Sequence, residues 1–188
     1  MAKRAIFISL LATLFLASCT FNPASRLKDN RMPNDYLYSD KTFIAMQYYM
    51  GILNRTVQVY VLDDMLSVAV VGGVIASPPS TGNEWYNPRA YIDPLYIEKY
   101  RNIDPASNLF LSLDSSNYQI KRTSIKKVEF DPSNKWGMGN VPHTGKILVY
   151  TTDDKEKEFI LLGSQDGDYV KNMIEQIMRL KTKEDREQ

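Results

Sequence analysis

His143 is the one histidine of this 188-residue chain and stands in a glycine-rich stretch, Lys135-Trp136-Gly137-Met138-Gly139-Asn140-Val141-Pro142-His143-Thr144-Gly145. A hydrolytic reading makes His143 the base and needs a partner such as Ser133 or Asp131 brought within hydrogen-bond distance. Nothing in the spacing imposes that approach, so His143 is expected as a loop residue. Met138 with His143 supplies two ligands for a soft metal ion, too few for a site. The glycines lack the Lys-Ser/Thr ending of a phosphate loop and are expected to permit a tight connection. Asp63-Asp64 and Asp153-Asp154 have the composition of catalytic carboxylate pairs or calcium ligands. Each pair sits at a predicted strand turn, where Asp is common because its side chain bonds the local backbone. No catalytic residue, metal or cofactor is assigned.

The residues with the strongest binding chemistry are aromatic. Trp85, Tyr86, Arg89, Tyr91, Tyr96 and Tyr100 fall within the long connection from Ser77 to Asn108, which also carries Pro78, Pro79, Pro88, Pro94 and Pro105. Trp, Tyr and Arg concentrate at binding hot spots because they bury a large area while keeping a polar end satisfied. Long connections in compact domains usually carry function. The six residues are expected to contact a partner; the competing expectation is that the segment folds back and its rings form a small core of their own.

Cys19 is the only cysteine, and it ends an export-type N-terminus: basic Lys3 and Arg4, then an apolar stretch from Ala5 to Ala17 too short for a membrane-spanning helix. In an oxidising compartment it has no internal disulfide partner. Leu16-Ala17-Ser18-Cys19 resembles the lipobox of bacterial lipoproteins, although Ser before the cysteine is less usual than Gly or Ala. The resemblance implies cleavage before Cys19, diacylation of its sulfur, acylation of its new amino group, and thus a membrane attachment through lipid. Thr20 stands where retained inner-membrane lipoproteins typically carry Asp, which implies the periplasmic face of the outer membrane.

Composition agrees with a folded body: 44% of residues are hydrophobic and 24% charged. The formal charge is +1, and loss of Lys3 and Arg4 leaves the chain close to neutral, which gives no bulk attraction to nucleic acid. The expected organisation is a signal peptide over 1–18, a lipidated tether over 19–40, one α+β domain over 41–181, and a charged tail over 182–188. A flexible tether of about 20 residues reaches roughly 25 Å.

Apolar residues crowd every face between Lys41 and Leu53, which predicts a buried helix with a strand as the rival. Alternation from Thr56 to Ile75, interrupted at Asp63-Asp64, predicts a β-hairpin. The apolar run Met65 to Ala76 suits a strand buried on both faces, and Gly72-Gly73 a bulge or close backbone approach. Asp93-Pro94 should open a short helix through Tyr100. Strands are expected at Leu109 to Leu113, Tyr118 to Lys121, Ile125 to Phe130, Gly145 to Thr151 and Lys157 to Leu162. The spacing of Tyr169, Val170, Met173, Ile174 and Ile177 predicts a C-terminal amphipathic helix capped by Asp168 and fraying after Leu180.

Three strand texts, Ser124 to Phe130, Gly145 to Thr151 and Glu158 to Leu162, followed by that helix, resemble bacterial pleckstrin-homology-like (PH-like) domains. The resemblance implies a mostly β, α+β fold: short antiparallel strands in a half-barrel or sandwich closed by the C-terminal helix. The proline-rich insertion departs from that pattern. Such folds serve lipid binding, protein binding and scaffolding, so the fold does not fix the function. Together the two resemblances imply an envelope lipoprotein whose domain binds or scaffolds without catalysis, its partner another envelope or secretion-system protein. The alternatives are a lipid-presenting protein, which would show an apolar cavity, and an envelope hydrolase, which would show a cleft at His143 or at paired carboxylates. An immunity lipoprotein belongs with the binding class.

Overall fold

A computed structural model describes residues 40–49, 53–75, 82–138 and 140–184, with side chains described as far as Arg179. The expected signal peptide, Cys19, nearly all of the tether, Gly139 and the last residues of the charged tail lie outside the described residues. Among the described residues seven strands form one sheet: β1 Thr42–Tyr49, β2 Leu53–Val61, β3 Met65–Gly72, β4 Tyr118–Lys121, β5 Ile125–Asp131, β6 His143–Thr151 and β7 Glu156–Leu162. Their order is β4-β3-β2-β1-β7-β6-β5, with every pairing antiparallel. Two meanders therefore meet where β1 lies beside β7, and the sheet curls into a half-barrel. Among the described residues three α-helices complete the α+β, mostly β fold: α1 Pro94–Tyr100, α2 Asn108–Ser112 and α3 Gly167–Glu184.

The concave face is filled rather than hollow. Phe43, Phe159 and Ile147 from the strands meet Val170, Ile174 and Ile177 of α3 in one buried cluster. The Phe43 and Phe159 rings pack edge to face, 5.8 Å apart, across the junction of the two meanders. Burying each such side chain is worth roughly 1.5–3 kcal/mol, so α3 is fastened by its apolar stripe. Its cap is Asp166, whose Oδ1 accepts from the Tyr169 amide at 3.0 Å, and not the expected Asp168, which lies inside the helix. The helix also continues to Glu184, past the fraying point expected at Leu180.

The predicted helix from Lys41 is instead β1. Phe43 and Ala45 face the concave core, while Ile44 and Met46 face a second cluster on the convex side. A strand buried on both faces shows apolar residues in every direction, as a buried helix does. The predicted strand at Leu109 is likewise corrected to α2, whose first turn is capped by Ser107 Oγ accepting from the Phe110 amide at 3.2 Å. The hairpin of β2 and β3, the Asp93-capped α1 and the four later strands stand where they were expected, within a few residues at each end.

Only two residue pairs, Ala45 with Leu161 and Met46 with Ile160, join β1 to β7. Gln165 extends this short seam. Its Oε1 accepts from the Ile44 amide at 2.9 Å, and its Nε2 donates to the Ile44 carbonyl at 2.6 Å and the Leu162 carbonyl at 2.8 Å. One side-chain amide thus serves Ile44 as another strand would.

The convex face is covered by the chain's two longest connections. Residues following β3 lay Tyr100 and Phe110 over Tyr60, Ala69 and Val71, and Tyr91 joins Met138 and Val141 over Ile44, Met46, Ile160 and Leu162. Gly72 allows the close approach that begins this path: a Cβ there would stand 3.0 Å from Thr56 Cβ and 3.1 Å from the Tyr91 carbonyl oxygen. The neighbouring register shift between Thr56 and Val57 marks the irregularity anticipated at the paired glycines.

Candidate interaction surface

The aromatic connection divides into buried and exposed members. Tyr100 is 3% exposed, its hydroxyl donates to Asn117 Oδ1 at 3.0 Å, and burial is the main cause that pushes its pKa up to about 12. Tyr91 is also buried, its hydroxyl donating to the Trp85 carbonyl at 3.0 Å, and burial raises its pKa. These two side chains are spent on the convex core and leave little to present to a partner. Tyr96 is half-buried and stacks on Tyr100 with ring centres 6.4 Å apart. Lys99 lies over both rings and pairs with Asp114 at 3.1 Å. Trp85 is half-buried, with an indole N–H that makes no hydrogen bond to the described residues. Tyr86, 56% exposed, and Arg89 remain at the surface.

A residue outside the six matters as much. Trp136 is 93% exposed, although the neighbouring Met138 and Val141 are buried beneath the same loop. Lys135 anchors that loop by pairing with Glu158 at 2.8 Å and lying over the Tyr48 ring. Its sequence signal is a tryptophan between lysine and glycine in a segment without apolar periodicity, a position no core stripe would claim.

Gly163 and Ser164 clasp both connections at the β7–α3 junction. The Gly163 amide donates to the Pro142 carbonyl at 2.9 Å, while the Ser164 amide and hydroxyl donate to the Tyr86 carbonyl at 2.9 and 3.0 Å. Tyr86 and Trp136 therefore belong to one loop layer over the β1–β7 seam, with its apolar underside buried and these two rings directed outward. No protein-family model, no curated protein and no solved structure matches the chain. The surface must be read from its own chemistry.

His143 opens β6 rather than lying in a loop. Burial, then the charge of Lys146, lowers its pKa, and its Nδ1 has no hydrogen-bond partner among the described residues. Asp131 and Ser133 converge on Lys146 Nζ, at 2.7 and 3.0 Å. That contact, with Ser133 adding hydrogen bonds, holds the Asp131 carboxyl well below the usual range. Met138 is committed to the convex core. Asp63 pairs with Lys41 at 3.1 Å, and Asp153 with Lys155 at 2.6 Å, both at strand turns. Among the described residues no three His, Cys, Asp or Glu side chains group as a metal site, and no helix is long and apolar enough to cross a membrane.

Proposed function

We propose that this chain is a lipid-anchored protein of the bacterial cell envelope, held on the periplasmic face of the outer membrane, whose domain acts as a non-catalytic binding module for another envelope or secretion-system protein. The observation that carries the binding reading is the convex loop layer. Its apolar underside is buried, yet it sends Tyr86 and Trp136 into solvent, where an unpartnered indole has no stabilising role. The anchor rests on the export signal and on Leu16-Ala17-Ser18-Cys19. A half-barrel closed by a C-terminal helix is compatible with the PH-like resemblance and supplies a rigid platform for the loops.

Two experiments separate the anchor from the surface. Cells fed radiolabelled palmitate should incorporate it into the wild-type chain and not into Cys19→Ser; equal labelling of both would refute the anchor. For the surface, Tyr86→Ala with Trp136→Ala should weaken co-purification of the partner from crosslinked membranes by about 30-fold or more, as expected for two hot-spot aromatics. Leu95→Ala with Leu109→Ala, also exposed but on α1 and α2, should leave co-purification unchanged. Equal recovery from both double variants would place the interface elsewhere.

A further inference from the structure

Among the described residues β4 is an end strand of the sheet, paired with β3 alone, and its other edge faces a groove of about 580 Å³. The opposite wall is the hairpin of β6 and β7, with Thr151, Thr152 and Asp153 at its tip. Three lysines and one aspartate line the space. Lys155 is occupied by Asp153. Among the described residues neither Lys121 nor Lys157 has a carboxylate partner, and Lys157 lies over the Tyr118 ring, 5.2 Å from its centre. Tyr118 is held in place by Gln47 Nε2, which donates to its hydroxyl at 2.7 Å, and burial pushes its pKa up to about 12.

A free strand edge offers unpaired amides and carbonyls to an added strand, and lysines along it repel basic strands while attracting acidic ones. We propose that the groove takes an extended acidic segment of a partner protein, which adds to β4 and sets its carboxylates against Lys121 and Lys157. This deepens the binding-module reading and rests on it for the ligand being a protein. It uses a surface separate from Tyr86 and Trp136, so either can fail while the other stands.

The probe is a fluorescent peptide of alternating valine and glutamate, seven residues long, titrated into the intact mature protein and followed by polarisation. A lysine-for-glutamate version should not bind. Replacing the valines by proline keeps the charge and removes strand pairing, and should weaken binding at least about tenfold. The variant Lys121→Gln, Lys157→Gln should lose about tenfold or more for the glutamate peptide while keeping the wild-type urea midpoint. Lys121→Gln alone, at an exposed position, should lose part of the affinity and covers the case in which the double variant is unstable. No binding by the glutamate peptide, equal binding by the proline peptide, or equal binding by Lys121→Gln and the double variant would each overturn the proposal.

Discussion

Replacing Asn117 by alanine should lower stability by about 3–5 kcal/mol, the range expected when several buried polar groups lose their partners together. Asn117 is buried, and its Oδ1 accepts from the Val70 amide at 3.0 Å and from the Tyr100 hydroxyl. Its Nδ2 donates to the Phe110 carbonyl at 2.8 Å. One side chain therefore ties β3 to both helices of the connection. Its removal leaves an amide, a hydroxyl and a carbonyl without those partners under a layer that excludes water. Urea unfolding should show a midpoint lower by about 2 M with an unchanged slope, taking a slope of about 2 kcal/mol per molar. A loss below about 1 kcal/mol would mean that the layer over β2 and β3 is held by apolar contact alone.

Gly163→Ala should cost about 2–4 kcal/mol and should act on function as well as stability. Gly163 has φ +71°, and a Cβ there would stand 2.5 Å from the Tyr86 carbonyl oxygen and 3.0 Å from the Pro88 nitrogen. The left-handed conformation costs alanine about 1–2 kcal/mol. Displacing the Tyr86 carbonyl sacrifices its two bonds from Ser164, worth about 0.5–1.5 kcal/mol each. In a Trp136→Phe background Trp85 is the sole tryptophan, and its emission should shift to the red as the Tyr86 segment lifts. Partner recovery should fall even at temperatures where the half-barrel stays folded. Unchanged emission with stability within about 0.5 kcal/mol of the parent would show that Gly163 is not the clasp.

The parts legible in the sequence are those with a clean alternation or a strong local signal. Val57, Val59 and Val61 turn to the core under α3, while Thr56, Gln58 and Tyr60 on the other face of β2 are buried yet carry polar atoms, so the period of two survives. Asp93-Pro94 announces α1 through its own cap. β1 was illegible because the loop layer hides its second face, a fact stored far along the chain in Tyr91 and Met138. Asp166 and Asp168 are equally good caps on paper, and only the geometry of the Tyr169 amide chooses between them. Gln165 reads as an ordinary loop residue because the backbone it completes lies 121 residues earlier in the chain.

The interaction surface was legible in type but not in membership. Tyr96 and Tyr100, four residues apart, share a helix face, and the packing of α1 on β3 decides that this face turns inward. Trp136 was overshadowed by His143 in the same glycine-rich stretch, yet it is the more exposed aromatic by far.

The most direct measurement places a photo-crosslinking phenylalanine analogue at position 86, 136 or 109 of the full chain in living cells. If the convex loop layer over the β1–β7 seam is the binding surface, positions 86 and 136 give the same discrete adduct and position 109, exposed on α2, gives none. The absence of any adduct from 86 and 136, or the same pattern from all three, would contradict it.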